Sequence, residues 1–420
     1  MDSKIGSFYG FPYLGEGKCR LCCLVCDSAL ALYICRNFNQ PQMPKVISIV
    51  LNPFTHDSRV LKECLSLQAA GYEVEVVAML EGDLPAFEIV EGIPVHRIQI
   101  RSRSWSKNRF IQVFKLLEFT LRTAWGFARK ADIFHVNDVE PLPLAVFSRW
   151  FFNWKLKILY DAHELEFDKA EKGSNNYPQW ALAFAERLFI KRANKVLTVS
   201  PLVAKAYVAR YGIPEPAVVM NCPNYALPSG ENLLRKALQI TPEQKIFLYQ
   251  GGLIPKRGVE LLLEIFQELP DAYQLVFLGY GPMTETVQAA AQAHSNIHFH
   301  PAVSPVELHR YTSDADVGFC IYQGRTGNHQ LTIGNKIFQY IMAGVPVLAS
   351  DLQGLKYVLK DPNLGMILPD FRNKEAVKQA ILDLAQVDKF SRRAAFEKAA
   401  SVYTWEAQEK VLLAAYREIR

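Results

Sequence analysis

The sequence predicts an α/β protein of two domains, each a parallel sheet covered by helices, facing one another across a cleft. Three observations predict it. At 420 residues the chain is too long for one ordinary hydrophobic core. From Lys45 onward, short β-branched runs alternate with helical patterns, which is how parallel sheets are built. The alternation breaks at a turn-rich stretch, NCPNYALPSG (Asn221–Gly230), and then begins again.

Residues 1–43 stand apart. Cys19, Cys22, Cys23, Cys26 and Cys35 all fall there. CRLCCLVC holds two C-x-x-C units with no spacer, whereas a zinc knuckle needs an intervening loop of roughly 12 residues. The expectation is a disordered leader or a start assigned too early, with Met43 opening MPKVISIVL. Leu21–Cys35 is apolar but shorter than the roughly 18 residues of a spanning helix, and no small-residue cleavage site follows it. Cys64, Cys222 and Cys320 are scattered, as reduced cytosolic thiols are.

The first domain is expected over 44–220. Its strands are KVISIVL (Lys45–Leu51), EVEVVAM (Glu73–Met79), DIFHV (Asp132–Val136), KILYD (Lys157–Asp161) and KVLTVS (Lys195–Ser200). Ser58–Gly71 is a helix closed by glycine. The second domain, 221–390, repeats the plan with KIFLYQG (Lys245–Gly251), QLVFLG (Gln274–Gly279), IHFH (Ile297–His300), VGFCI (Val317–Ile321) and VPVLAS (Val345–Ser350). In 391–420, Trp405–Ile419 has the pattern of an amphipathic helix. Ligands of open α/β sheets bind at the carboxyl ends of the strands, so the loops there are the place to seek chemistry.

Two such loops suit an anion. YQGGLIPKRG (Tyr249–Gly258) leaves a strand and enters a helix, with Gly251 and Gly252 permitting close approach and Lys256 and Arg257 adding charge. GNKIFQYIMAGVPVLASD (Gly334–Asp351) starts a second helix, with Asn335 as its expected N-cap and Gly344 just past its end. Lys336 lies in that first turn, where a cation is unfavourable unless an anion intervenes. Lys336 and Gln339 share a face. His329 stands in the preceding loop, and Gly279 and Gly281 follow a third strand as a bare G-x-G. Two converging cationic helix starts suit a diphosphate. Yet no Asp or Glu occurs from Val317 to Ser350, so the chemistry there must run without a local carboxylate base.

In this order these residues resemble the family 4 glycosyltransferases of the GT-B fold, in which two Rossmann-like domains face across a cleft. The resemblance runs from about Met43 to the C-terminus. It is carried by His56–Ala78, Asp132–Ala145, Leu159–Asp168, Leu197–Gly212, Val218–Asn224 and, most closely, Gly334–Asp351. Trp405–Ile419 resembles the helix that crosses back to the first domain. The resemblance implies a nucleotide-sugar donor in the second domain, an acceptor in the first, retention of configuration, and no metal or other cofactor. It also exposes departures. Two glutamates usual in the donor loop and helix are here Leu331 and Gln339, and a usual glycine-loop arginine and lysine are Gly252 and Arg257. An amide can still bond ribose hydroxyls; Leu331 cannot bond the sugar.

On the acceptor side Asn137, Asp138, His163 and Glu164 end two strands and are expected to face the cleft, Asp138 as acceptor ligand or base. Each residue singly also fits a role in capping a strand end. Residues 97–130 carry nine Lys or Arg against one acid with six Trp or Phe, and 147–157 add more of both. Core aromatics with a solvated basic face would give this pattern, and so would attachment to an anionic membrane. No nucleic-acid reader motif occurs. The leading expectation is a cytoplasmic transferase, peripheral on the inner membrane face, making surface polysaccharide or glycolipid from a lipid-linked or glycan acceptor. A non-catalytic partner that keeps the fold is the alternative, and a nucleotide-sugar epimerase the third.

Overall fold

A computed structural model describes residues 43–55, 57–105, 109–165, 179–323, 327–368, 370–387 and 390–419. The leader, His56, and residues 166–168 of the acceptor-side motif lie outside them. Residues 44–420 form one compact unit with two sheets.

The first sheet has the order β3-β4-β2-β1-β5-β6-β7-β8. Its strands are β1 (Lys45–Ile49), β2 (Glu73–Met79), β3 (Phe87–Val90), β4 (Ile93–Ile98), β5 (Ile133–Asn137), β6 (Lys157–Ala162), β7 (Lys195–Thr198) and β8 (Ala217–Val218). The second has the order β11-β10-β9-β12-β13-β14. Here the strands are β9 (Lys245–Gly252), β10 (Tyr273–Tyr280), β11 (Ile297–Pro301), β12 (Val317–Cys320), β13 (Val347–Ser350) and β14 (Gly365–Leu368). Both are open sheets, parallel but for the edge strand β3, whose order reverses beside the first parallel strand, between β1 and β5 and between β9 and β12. Such switch points place crevices at the carboxyl ends.

The strands are short apolar runs because both faces are buried. Helices Arg109–Phe127, Leu142–Phe151 and Pro201–Tyr211 share a core with one face of the first sheet, through Phe119, Leu142, Tyr160 and Tyr207. Ser58–Ala69 and Trp405–Ile419 cover the other, through Leu67, Trp405, Leu412 and Tyr416. Arg393–Val402 packs instead on the second core through Phe396 and Ala399, so the return to the first sheet begins at Trp405. No helix or strand occupies residues 219–232, where the linker was expected.

One pair in the first sheet is antiparallel, and composition did not suggest it. β3 and β4 pair with Val90 opposite Ile93, joined by Glu91 and Gly92 at φ 48° and 87°, a turn that needs left-handed backbone at both positions. This hairpin corrects the reading of the basic stretch from residue 97. Arg97 ends in β4 with its side chain buried, donating to the carbonyls of Pro53 and Pro85 and to Glu88; it is no part of a surface patch. Among the described residues no helix is long and apolar enough to cross a membrane.

Candidate active site

A cavity of about 630 Å³ opens between the carboxyl ends of the two sheets. Its first-sheet wall includes Asn52, Asp57, Arg59, His163 and Glu164, and its second-sheet wall Arg257, Tyr322, Asn328, His329 and Asn335. Five expected site residues therefore line it: His163, Glu164, Arg257, His329 and Asn335.

On the second sheet, helix Asn335–Met342 aims its N-terminus at the cavity. The N-cap is Gly334 rather than Asn335, and no side chain caps it, so its first backbone N–H groups are open to an anion. Gly334 is dictated by packing, since a Cβ there would lie 2.5 Å from the Tyr322 hydroxyl. Two rings hold the cations. The Lys336 ammonium lies 4.0 Å from the centre of the Tyr249 ring, and the Arg257 guanidinium 4.9 Å from that of Tyr322, both within cation–π range. Burial, abetted by Arg257, lowers the Lys336 pKa to about 8. Gly251, at φ 100°, makes room for this lysine: a Cβ would meet Lys336 Cε at 3.1 Å.

Gln339 is not free at both ends. Its Oε1 accepts from Gln250 Nε2 at 2.8 Å, and Gln250 Oε1 accepts from the Thr312 hydroxyl at 2.7 Å. The relay leaves the Gln339 N–H₂ as the polar end turned away from Gln250. Gly252 follows Gly251 at the end of β9 without lining the cavity. Gly279 and Gly281 have a packing reason. A Cβ at Gly279 would lie 1.9 Å from the Gly251 carbonyl oxygen, and one at Gly281 2.5 Å from that of Leu253. They let β10 close on β9; neither lines the cavity.

Helix Gly327–Leu331 lies between the sheets and touches both. Asn328 Oδ1 accepts from the Leu165 N–H at 3.0 Å, and the Leu331 carbonyl accepts from the Ser200 hydroxyl at 2.7 Å. The Leu331 side chain packs against the first-sheet core, which gives an apolar residue at this position its physical reason. His329 faces Tyr322 with ring centres 6.3 Å apart.

On the first sheet, Asn137 lies below the surface and not on the cleft: it is 3% exposed, donating to Ser48 Oγ and the Ile49 carbonyl. Asp138 is at the surface, with strained φ of 67°. It stands 3.4 Å from His163 Nδ1, while His163 Nε2 lies 2.9 Å from Asp161 Oδ2. Burial opposes charge on His163, but the Asp138 and Asp161 carboxylates outweigh it and push its pKa well above the usual histidine range. Its two carboxylate neighbours thus favour the imidazolium, in which both nitrogens donate. It supplies charge to the cavity wall, and the same neighbours disfavour the neutral form that a base needs.

Beneath it lies a buried network missed by sequence reasoning. Arg59, in the first turn of Ser58–Ala69, donates to both oxygens of Asp161 at 2.9 and 3.0 Å and to the Val219 carbonyl at 2.8 Å. Burial resists ionisation of Asp161, yet Arg59 and His163 hold its pKa far below the carboxylate range. Glu63 beside it is driven by burial up to about 8, and burial drives His135 down to about 4. Glu63, His135 and Asp161 bring potential metal-ligand atoms within 4.8 Å of one another, but the Arg59 guanidinium already sits on both carboxylates. The available signal was a cation in a helix first turn, the same one that marked Lys336.

Comparison with known proteins agrees with this geometry. Residues 57–223 match the family described as "Glycosyl transferase 4-like domain" and 244–386 that described as "Glycosyl transferases group 1". Spore coat protein SA of Bacillus subtilis is 27% identical over 42% of this chain, a match that spans half of that protein. Chitobiosyldiphosphodolichol beta-mannosyltransferase of Kluyveromyces lactis is 21% identical over 96% of this chain and 98% of its own. Among solved structures, Anabaena Alr3699/HepE in complex with UDP-glucose superposes with a TM-score of 0.65 at 13% identity, covering 89% of this chain and 99% of the other. Two parallel-sheet lobes, a cavity at their switch points and matches over both halves have one meaning: the chain belongs to the group 1 glycosyltransferases, in the GT-B fold.

Proposed function

We propose that the protein is a retaining, metal-independent glycosyltransferase that moves a sugar from a nucleoside diphosphate to a glycan or lipid-linked acceptor in surface polysaccharide or glycolipid synthesis. The observation that carries this reading is the pair of ring-held cations, Lys336 and Arg257, beside the uncapped helix start at Gly334. A diphosphate leaving group is what fixed charge and oriented N–H groups stabilise most as its bond to the sugar breaks. In the reaction the sugar–phosphate C–O bond breaks, a new C–O bond to the acceptor forms on the same face, and the acceptor proton passes to the departing diphosphate. No protein base is needed, which suits a donor segment without Asp or Glu and a His163 whose carboxylate neighbours, Asp138 and Asp161, favour its protonated form. The UDP-glucose held by HepE and the diphosphodolichol acceptor in the name of the mannosyltransferase support a nucleotide-sugar donor and a lipid-linked acceptor. The exposed tryptophans that cations accompany, Trp125 with Arg129, Trp150 with Arg192 and Trp154 with Lys155, support work on the cytoplasmic face of an anionic membrane.

A second reading, a non-catalytic nucleotide-binding partner, has one observation in its favour: the Gln250–Gln339 relay and the packed Leu331 leave two polar contacts of the donor site altered. Calorimetry with UDP-, GDP-, ADP- and dTDP-sugars, with released nucleoside diphosphate measured in the same samples, separates the two. Binding of one donor with slow hydrolysis is expected. Binding without turnover, even with lipid-linked acceptors present, favours the partner, and absence of any binding overturns both.

A further inference from the structure

Three successive helices of the first lobe turn apolar side chains to solvent. On Arg109–Phe127 the outward stripe is Phe114, Leu117, Leu121 and Trp125, each at least 45% exposed, while Phe119 and Ala124 are in the core. At Leu142–Phe151 and just beyond, Trp150, Phe151 and Trp154 are exposed. Helix Gln179–Phe189 inverts the usual amphipathic arrangement. Trp180, Phe184 and Leu188, spaced i, i+4, i+8, are 74%, 62% and 55% exposed, whereas its one acid, Glu186, is fully buried. Three phenols hold that carboxylate: Tyr160 and Tyr207 donate to Oε1 at 2.6 and 2.5 Å, and Tyr211 to Oε2 at 2.6 Å.

The patch is continuous and basic. Ring contacts link the helices, Trp125 to Phe152 at 6.2 Å and Trp150 to Phe189 at 6.4 Å. A cation accompanies each exposed tryptophan of this seam: Arg129 over Trp125, Arg192 over Trp150, Lys155 over Trp154. The other acid of these helices, Glu118, is taken up by the backbone N–H groups of Arg101 and Ser102 and by Arg122. A solvated surface would carry Glu186 outward and Leu188 inward. A face that hides its acid, exposes tryptophan and surrounds it with cations complements a surface that is apolar below and anionic at its rim.

We propose that this face docks on an anionic lipid bilayer, with helix Gln179–Phe189 as the inserting element. Trp180, Phe184 and Leu188 enter the boundary between headgroups and acyl chains, and the flanking Arg and Lys stay level with the phosphates. The inference rests on the reading of a membrane-borne acceptor and adds the helix that basic composition had not singled out. It also orients the site: Tyr207, which holds Glu186, lies 3.1 Å from the carbonyl of the cavity residue Glu164, so the inserted helix and the cavity wall share an anchor.

The test is flotation of the full chain with phosphatidylcholine vesicles, with and without about 30 mol % phosphatidylglycerol. The comparison variant is Trp180→Ser/Phe184→Ser/Leu188→Ser, and nucleotide-sugar affinity is measured on the same preparations. The native chain should float with anionic vesicles only, with a blue shift of tryptophan emission. The triple variant should lose at least about tenfold in partitioning and keep its nucleotide affinity. Indifference of the native chain to anionic lipid, or of binding to the triple substitution, overturns the proposal; so does a dimer in solution that the same substitutions dissociate, which would assign the face to a second copy. Nucleotide binding without vesicle binding sinks this inference alone, and vesicle binding without nucleotide binding sinks the transferase reading alone.

Discussion

Burial against Tyr249 brings the Lys336 ammonium down to about 8, within the range of ordinary assays. Below that value the free site is cationic; above it the lysine sheds its proton and its hold on a diphosphate. Nucleoside-diphosphate affinity should therefore fall as pH rises through 8, by at most about tenfold per pH unit, and calorimetry from pH 6.5 to 9.5 measures it (about 6.5–9.5 brackets the lysine's titration). Lys336→Gln should weaken binding and flatten the profile. Asp161 makes a different prediction. It is fully buried on Arg59, and removing one member of a buried pair leaves the other uncompensated. Asp161→Asn should cost about 3–5 kcal/mol in urea unfolding. At this scale the sequence was legible where the signal was local. Lys336 stands against its own helix dipole and could be read from its neighbours. Arg59 carries the same mark, but its meaning lies in Asp161, 102 residues away, and no local pattern joins the two. Asn137 misled because a strand's last residue can turn either way, and here its N–H₂ group donates to Ser48 and the Ile49 carbonyl beneath the surface.

Ten strands were legible as elements because they are short, mostly buried apolar runs; the two-residue β8 and the half-buried β14 were too short or too little buried to stand out. The hairpin β3–β4 was not: its turn is Glu91-Gly92 rather than an Asn-Gly or Asp-Gly pair, and β3 is exposed at Phe87 and Ile89. The two glycines at the end of β10, Gly279 within it and Gly281 just past it, illustrate how one spacing supports two meanings. G-x-G suggested a ligand, but the register sets Gly279 opposite Gly251, where no Cβ fits. Gly279→Ala should accordingly destabilise the second lobe by about 2 kcal/mol or more, seen as a lower melting temperature. If the glycine instead served a ligand, melting would hold and only nucleotide affinity would fall.

Across the whole molecule, two features join the lobes. Helix Gly327–Leu331 reaches from the second to the first through Asn328 and Leu331, and Trp405–Ile419 returns to complete the first core. Trp405 donates its ring N–H to Ser66 Oγ at 2.9 Å, lies under Lys62 at 4.8 Å and donates its backbone N–H to the Pro223 carbonyl; Tyr416 meets His135 at 2.9 Å. Trp405→Ala should cost about 3–5 kcal/mol, and proteolysis should then open the first lobe although the change lies in the last helix. Intact first-lobe fragments after digestion would contradict this. The returning helix also imposes a timetable on synthesis. Trp405 leaves the ribosome about 190 residues after Val218 closes the first sheet, a delay of roughly 10–40 s at 5–20 residues per second. Through that interval the newborn first lobe has an uncovered apolar face, while the second lobe is made and folds ahead of its completion.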